Sequence, residues 1–233
     1  MDAPRFLKTA LVGLIVFFSS GCGGRVDQPP PFLVALINHS APSDDVSGTQ
    51  FCSGVLVSTS EVLTASHCIM DKQPKSIDAI VGADNLCKTA PIRGHRIQIN
   101  SVRLVPKLDG AILELASPAL GSSEVSRPNA SIGKSTLIAW GWGTESIGGV
   151  SPCTAQGKKL KLVPDINCPN LSTIEFASYF CAKPAEARNT CEGDSGGPVL
   201  DSSGRVVGIT TSGIGCGAND PGSYLLANVA LLG

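Results

Sequence analysis

Charge is scarce in this 233-residue chain: 16% of its residues are Asp, Glu, Lys or Arg, and they sum to a formal net charge of -1. No block of basic residues occurs, so nothing in the composition attracts a nucleic-acid backbone, and that class of partner is set aside. The three histidines are scattered and the nine cysteines contain no Cys-x-x-Cys pair, which argues against structural zinc. No long stretch follows the 3.6-residue period of an amphipathic helix. No segment reaches the ~20 consecutive apolar residues that a membrane-spanning helix needs. What the chain does have is apolar material, 42% of its residues, enough for a substantial core in one or two domains.

The first residues, "MDAPRFLKTALVGLIVFFSSGC", place Arg5 and Lys8 ahead of an apolar run from Ala10 to Phe18, followed by Ser19, Ser20 and Gly21. A positive start, a short apolar centre and small residues mark an export signal. The small residues run into Cys22 and resemble a bacterial lipobox, whose cysteine is lipidated and becomes the new N-terminus, although Ser19 stands where that motif prefers Leu. An ordinary secretory signal cleaved nearby is the other reading. Export implies an oxidising compartment. With Cys22 set aside for lipid, Cys52, Cys68, Cys87, Cys153, Cys168, Cys181, Cys191 and Cys216 remain. An even number in an exported protein points to disulfides, whose pairing the sequence alone leaves open.

Short apolar segments rich in Val, Ile, Leu and Thr recur along the chain, separated by Gly, Pro, Asn or Ser. They are "FLVALIN", "SGVLVSTSEVLTA", "IDAIVGA", "HRIQINSVRLV", "AILELA", "STLIAWGWG", "PVLDSSGRVVGITTSG" and "SYLLANVALL". "LDSSGRVVGI" has the form of a hairpin with Ser-Gly at its turn. The chain therefore reads as all-β, a sandwich or barrel. Residues 115–133, rich in Ser, Pro and Gly, are the best linker and would divide the mature chain into two similar halves.

Three motifs carry chemistry. "CEGDSGGPV", residues 191–199, sets Asp194 and Ser195 among glycines, which permit tight turns and close approach of another molecule. Alone it would be a surface turn. "VLTASHC", residues 62–68, places His67 after a strand and beside a cysteine, and "LDGAILEL" supplies Asp109 between the two. With "TASHC" and "GDSGGP" in this order, the chain resembles the chymotrypsin/trypsin family of serine proteases from about Pro31 to near its C-terminus.

The resemblance implies two antiparallel Greek-key β-barrels with the active site in the cleft between them. Residues 1–21 would be the signal peptide, 22–31 a linker, 32–120 the first barrel and 121–233 the second. It implies an endopeptidase in which Ser195 is the nucleophile, His67 the general base and acid, and Asp109 the carboxylate that orients the imidazole. "DG" at Asp109 departs from the family's Asp followed by an apolar residue. The amides of Gly193 and Ser195 would form the oxyanion hole, with Asp194 turned inward to brace the loop. His39 and His95 match no motif and read as surface residues. No cofactor or metal is implied, the partners are protein or peptide substrates, and a monomer is expected. The family's disulfides map onto Cys52–Cys68, Cys168–Cys181 and Cys191–Cys216. Leu137 and Asp201 stand where many relatives carry another bridge, and Cys87 and Cys153, left over in neighbouring loops, are expected to pair. Asn189 matches the pocket base, where trypsin-like members carry Asp, while Gly213 and Gly222 match open wall positions. Cleavage after uncharged medium or large residues is expected. Ser212 replaces the usual tryptophan, and Thr211 replaces a serine that normally supports the carboxylate matched by Asp109.

Other departures bear on activity. No Ile-Val-Gly-Gly segment is present, no acidic pair marks a calcium loop near Ala83 to Lys88, and the family's C-terminal helix is cut short. A lipoprotein scaffold that keeps the fold without the activity is therefore the alternative function. In the family, a freed Ile or Val amine pairs with the carboxylate matched by Asp194. Here cleavage after Arg25 would free Val26, but the five residues to Pro31 span at most roughly 17 Å, too short for that path. A buried Asp194 without a cation would cost several kcal/mol. The expectation is that an internal cation braces the loop, or that the loop is incompletely formed without substrate.

Overall fold

The computed structural model describes residues 28–42, 45–87, 94–121, 132, 136–164, 168, 177–213, 215–216 and 221–232. The signal segment, Cys22 and the Arg25–Val26 bond lie outside them, as does most of the 115–133 linker. Strands β1 (Leu33–Asn38), β2 (Gln50–Ser58), β3 (Glu61–Thr64), β4 (Ile77–Val81), β5 (His95–Leu104) and β6 (Ala111–Leu115) close one barrel. Strands β7 (Leu137–Gly141), β8 (Gln156–Val163), β9 (Tyr179–Pro184), β10 (Pro198–Leu200), β11 (Val206–Gly213) and β12 (Gly222–Leu226) close the other. The order around the first is β1-β2-β3-β6-β5-β4 and around the second β10-β11-β12-β9-β8-β7. Every pairing is antiparallel, and adding six to each label of the first barrel reproduces the neighbours of the second. The molecule is one topology used twice.

The strand alternation explains how the barrels join. In β1, Val34 and Leu36 point into the first barrel with Leu56, Val62 and Leu113. The alternate residues Leu33, Ala35 and Ile37 point outward, but toward a second core shared with Trp140, Trp142, Tyr179 and Leu225 of the other barrel. Both faces are thus dry, which is why "LVALIN" reads as a continuous apolar run. A third core, including Leu137, Leu160, Phe180 and Tyr224, fills the second barrel.

Two strands escape the sequence pattern and one segment is divided. β8 reads "QGKKLKLV" and β9 "YFCAKP": the first is broken by three lysines and the second holds none of the Val, Ile, Leu and Thr used to recognise strands. "SYLLANVALL" continues only to Leu226 as a strand and then turns into helix α1 (Ala227–Leu232). Val, Ile and Leu favour strands only where a neighbour supplies the ladder, and past Leu226 none is paired among the described residues. The hairpin at "LDSSGRVVGI" is present: Asp201 Oδ1 accepts the Ser203 and Arg205 amides, and Gly204 turns at φ 80. Leu137 and Asp201, at the place of the absent bridge, are both buried.

Candidate functional site

His67 lies in a short 3-10 turn, Ser66–Cys68, directly after β3, and Cys68 is bonded to Cys52 of β2. Asp109 lies across from it, one residue before Gly110 and β6. The carboxylate receives three donors: its Oδ1 accepts from Ser66 Oγ at 2.8 Å and from the His67 amide at 3.0 Å, and its Oδ2 meets His67 Nδ1 at 2.8 Å. Burial would raise its pKa. The hydrogen bonds and the charge of His67, joined by the bond from Ser66, outweigh this and hold Asp109 below the usual carboxylate value. An ionised Asp109 can only accept, so Nδ1 carries the proton and Nε2 presents a lone pair to the cleft. The Asp109 amide in turn donates to the Tyr179 hydroxyl of β9 at 2.7 Å, which locks the turn to the other barrel. Gly110 has a steric reason: a Cβ there would lie 2.8 Å from Leu225 Cδ2 and 3.2 Å from Val105 Cγ2.

Ser195 sits on the turn between Cys191 and β10. Gly193 and Gly196 have φ of 99 and 80, the left-handed region that favours glycine. A side chain at Gly196 would also strike Thr64, Ser53 and Ala65. The turn is fastened on both sides. The Ser53 amide donates to Ser195 O at 2.8 Å, the Gly196 amide to Thr210 O at 2.7 Å, and the Gly193 carbonyl accepts from Gln50 Nε2 and Ser53 Oγ. Among the described residues, the amides of Gly193 and Ser195 donate to no protein acceptor. Asp194 is fully buried beneath them. His67 and Ser195 line the same cleft, of ≈ 420 Å³, with Thr190, Glu192, Ser212 and Gly213. Among the described residues the ring of His67 also approaches the sulfurs of Cys52 and Cys68, but these form a disulfide and offer no thiolate for a metal.

The family model described as Trypsin matches residues 23–230. The chain belongs to the trypsin family. Pig trypsin (Sus scrofa) is 31% identical over 196 residues, covering 76% of this chain and 81% of that protein. A bacterial trypsin from Saccharopolyspora erythraea is 27% identical over 209 residues, with 84% and 88% covered. The solved structure of human heparin binding protein superposes with a TM-score of 0.68 at 20% identity, covering 86% of this chain and 87% of that one, a likeness of fold. The family is one of serine proteases, and its members are generally secreted, which the disulfides fit.

In this trypsin-family chain the eight described cysteines are joined as Cys52–Cys68, Cys168–Cys181, Cys191–Cys216 and Cys87–Cys153. Asn189 is buried, with its Oδ1 accepting the Thr190 amide and its Nδ2 donating to Gly215 O. Gly213 is exposed on the cleft wall with open space beside it, whereas Gly222 is buried and a Cβ there would lie 2.8 Å from Ser212 O. His39 and His95 are exposed. Thr211, where the family carries a serine, donates its hydroxyl to Ser223 O at 2.8 Å, and it is Ser66 Oγ that donates to Asp109. Ser66 is visible in the sequence as the residue before His67. Its role is not, because it depends on a carboxylate 43 residues away. Gln50, Ser53 and Tyr179 were equally silent. Each acts through one hydrogen bond to a distant backbone atom.

Proposed function

We propose that this protein is an exported serine endopeptidase in which Ser195 attacks the peptide carbonyl, His67 moves the proton and Asp109 fixes the imidazole. The observation that supports this best is the bond of 2.8 Å between Asp109 and His67 Nδ1, which leaves Nε2 directed to a cleft that Ser195 shares. As Ser195 Oγ bonds to the carbonyl carbon, Nε2 takes the hydroxyl proton and the carbonyl oxygen becomes an oxyanion. The Gly193 and Ser195 amides, committed to no acceptor among the described residues, are the donors for that charge. Nε2 then gives its proton to the leaving amine as the C–N bond breaks. Water, deprotonated by the same nitrogen, hydrolyses the acyl-serine and restores the hydroxyl. Asp109 stays ionised throughout and favours the imidazolium.

Asn189 gives the pocket base a neutral amide already bonded to backbone, so a substrate Arg or Lys finds no counter-charge from it. Cleavage after uncharged medium or large residues follows, with Gly213 leaving one wall open. The leader sequence supports export, with Cys22 as a lipid attachment point; palmitate labelling that disappears in Cys22→Ala separates this from plain secretion. The decisive experiment is a fluorophosphonate probe followed by peptide mapping. Modification of Ser195, abolished in His67→Ala, is the expected result. An unlabelled, folded protein that cleaves no peptide in a mixed library would instead favour the scaffold.

A further inference from the structure

Asp194 is buried at 0% exposure, and its carboxylate accepts from three donors. Its Oδ1 accepts the Gly143 amide at 2.9 Å. Its Oδ2 accepts the Cys191 amide at 2.8 Å and the ammonium of Lys158. Lys158 is itself only 4% exposed, and its Nζ also donates to Gly143 O at 3.3 Å. The cradle is built by omission of side chains: a Cβ on Gly143 would strike the Asp194 carboxylate, and one on Gly141 would lie 3.1 Å from Asp194 Cα. Lys158 enters from β8, a framework strand, whereas Asp194 belongs to the turn that carries Gly193 and Ser195. The pair is therefore a tie between the barrel wall and the turn.

We propose that Lys158 is a positioning residue for hydrolysis: its ammonium is the cation that holds Asp194 inward and so keeps the Gly193 and Ser195 amides assembled in the uncut chain. The assignment rests on the reading of Ser195 as nucleophile. A charge buried this completely persists only with a counter-charge. Without Lys158, Asp194 either takes up a proton or swings toward water, and both weaken its hold on the Gly143 and Cys191 amides. Because the oxyanion exists in the transition state and not in the bound substrate, the loss falls on kcat and leaves KM close to the parent's.

The test compares the parent with Lys158→Met, Lys158→Ala, the neutral pair Lys158→Met/Asp194→Asn and Arg25→Gln, using a chromogenic peptide ester and fluorophosphonate labelling. Lys158→Met is expected to lower kcat by about 10²-fold or more, the size of effect seen on losing one oxyanion donor. The neutral pair contains no buried charge and is expected to fold with the same kcat defect. Propylammonium is expected to restore turnover to Lys158→Ala with saturation, where tetramethylammonium does not. Arg25→Gln keeps the parent's rate. Parent kcat in either folded Lys158→Met variant overturns the proposal, as does loss of turnover in Arg25→Gln, which would make freed Val26 the cation. Failure of both Met-containing variants to fold would make the pair a determinant of the whole barrel and overturn a local tie. A parent chain that neither labels nor turns over ester overturns the protease reading, and the proposal with it.

Discussion

Asp109 shows how a partly exposed carboxylate stays ionised beside an imidazole. Three donors converge on its two oxygens, and two of them come from the backbone and ring of His67 itself. If the three proposed residues act as a unit, Ser195→Ala and His67→Ala should each abolish turnover to similar extents, and the double variant should cost little more. Additive losses in ester hydrolysis would contradict this. Asp109→Asn should lose several orders of magnitude in kcat, because an amide facing Nδ1 favours the wrong tautomer. The same carboxylate sets a pH dependence. Its folded pKa lies below the unfolded value of 3.8, so the native state binds fewer protons there. The stabilisation is whole above that value and is lost as pH falls through the lower folded one. In urea unfolding, the stability gap between the parent and Asp109→Asn should be constant near neutral pH and narrow below about pH 4. Residue identity was well announced at His67, Asp109 and Ser195, since each sits in a short motif. It was poorly announced at Lys158 and Ser66, whose partners lie 36 and 43 residues away.

β8 shows why a strand can hide from a pattern search. Its eight residues hold three lysines, and average charge argues for an exposed loop. Alternation resolves it. Lys158 and Leu160 face inward and are buried, while Lys159 and Lys161 face water. One inward lysine thus broke the apolar run; the sequence led us to expect an internal cation for Asp194 but did not single out Lys158. β9 is hidden for another reason: Cys181 and Ala182 are fully buried yet score weakly as strand formers, while Lys183 and Pro184 end it. The fold class survived both omissions, because the remaining strands already read as all-β and the two barrels came from the family resemblance rather than from the strand count. Leu160, fully buried in the core of the second barrel, makes the alternation testable. Leu160→Ala should cost about 2–5 kcal/mol in denaturant unfolding. Lys161→Ala should stay within about 0.5 kcal/mol of the parent. Lys159→Ala should do little more, since its ion pair with Glu186 is exposed at both ends. Equal effects at Leu160 and Lys161 would show that the register is wrong.

The whole molecule depends on the seam between barrels, since the cleft that holds His67 and Ser195 is also there. Part of the seam is apolar, the shared core of β1 with Trp140, Trp142 and Leu225. Its far edge is polar and covalent. The Leu86 amide donates to Cys153 O at 2.7 Å, the Ala155 amide to Asp84 O at 3.2 Å, and Asn85 bridges Thr154 as an isolated antiparallel pair. The Cys87–Cys153 disulfide lies beside this ladder, with Cα atoms 5.1 Å apart and a sequence separation of 66. Of the four described disulfides it alone joins a loop of the first barrel to the second; the other three close shorter loops of 13 to 25 residues within one barrel. Closing so long a loop restricts the unfolded chain most, so Cys87→Ser/Cys153→Ser should lose about 2–4 kcal/mol in urea unfolding. The native cleft is held independently by Tyr179, Ser53 and the shared core, so kcat at a temperature where the variant is folded should remain near the parent's. A variant equally stable to urea would mean that the hydrogen-bonded ladder already restrains the two segments. A stable variant with a large loss of kcat would mean that this bridge, far along the chain from His67 and Ser195, sets the alignment of the barrels across the cleft.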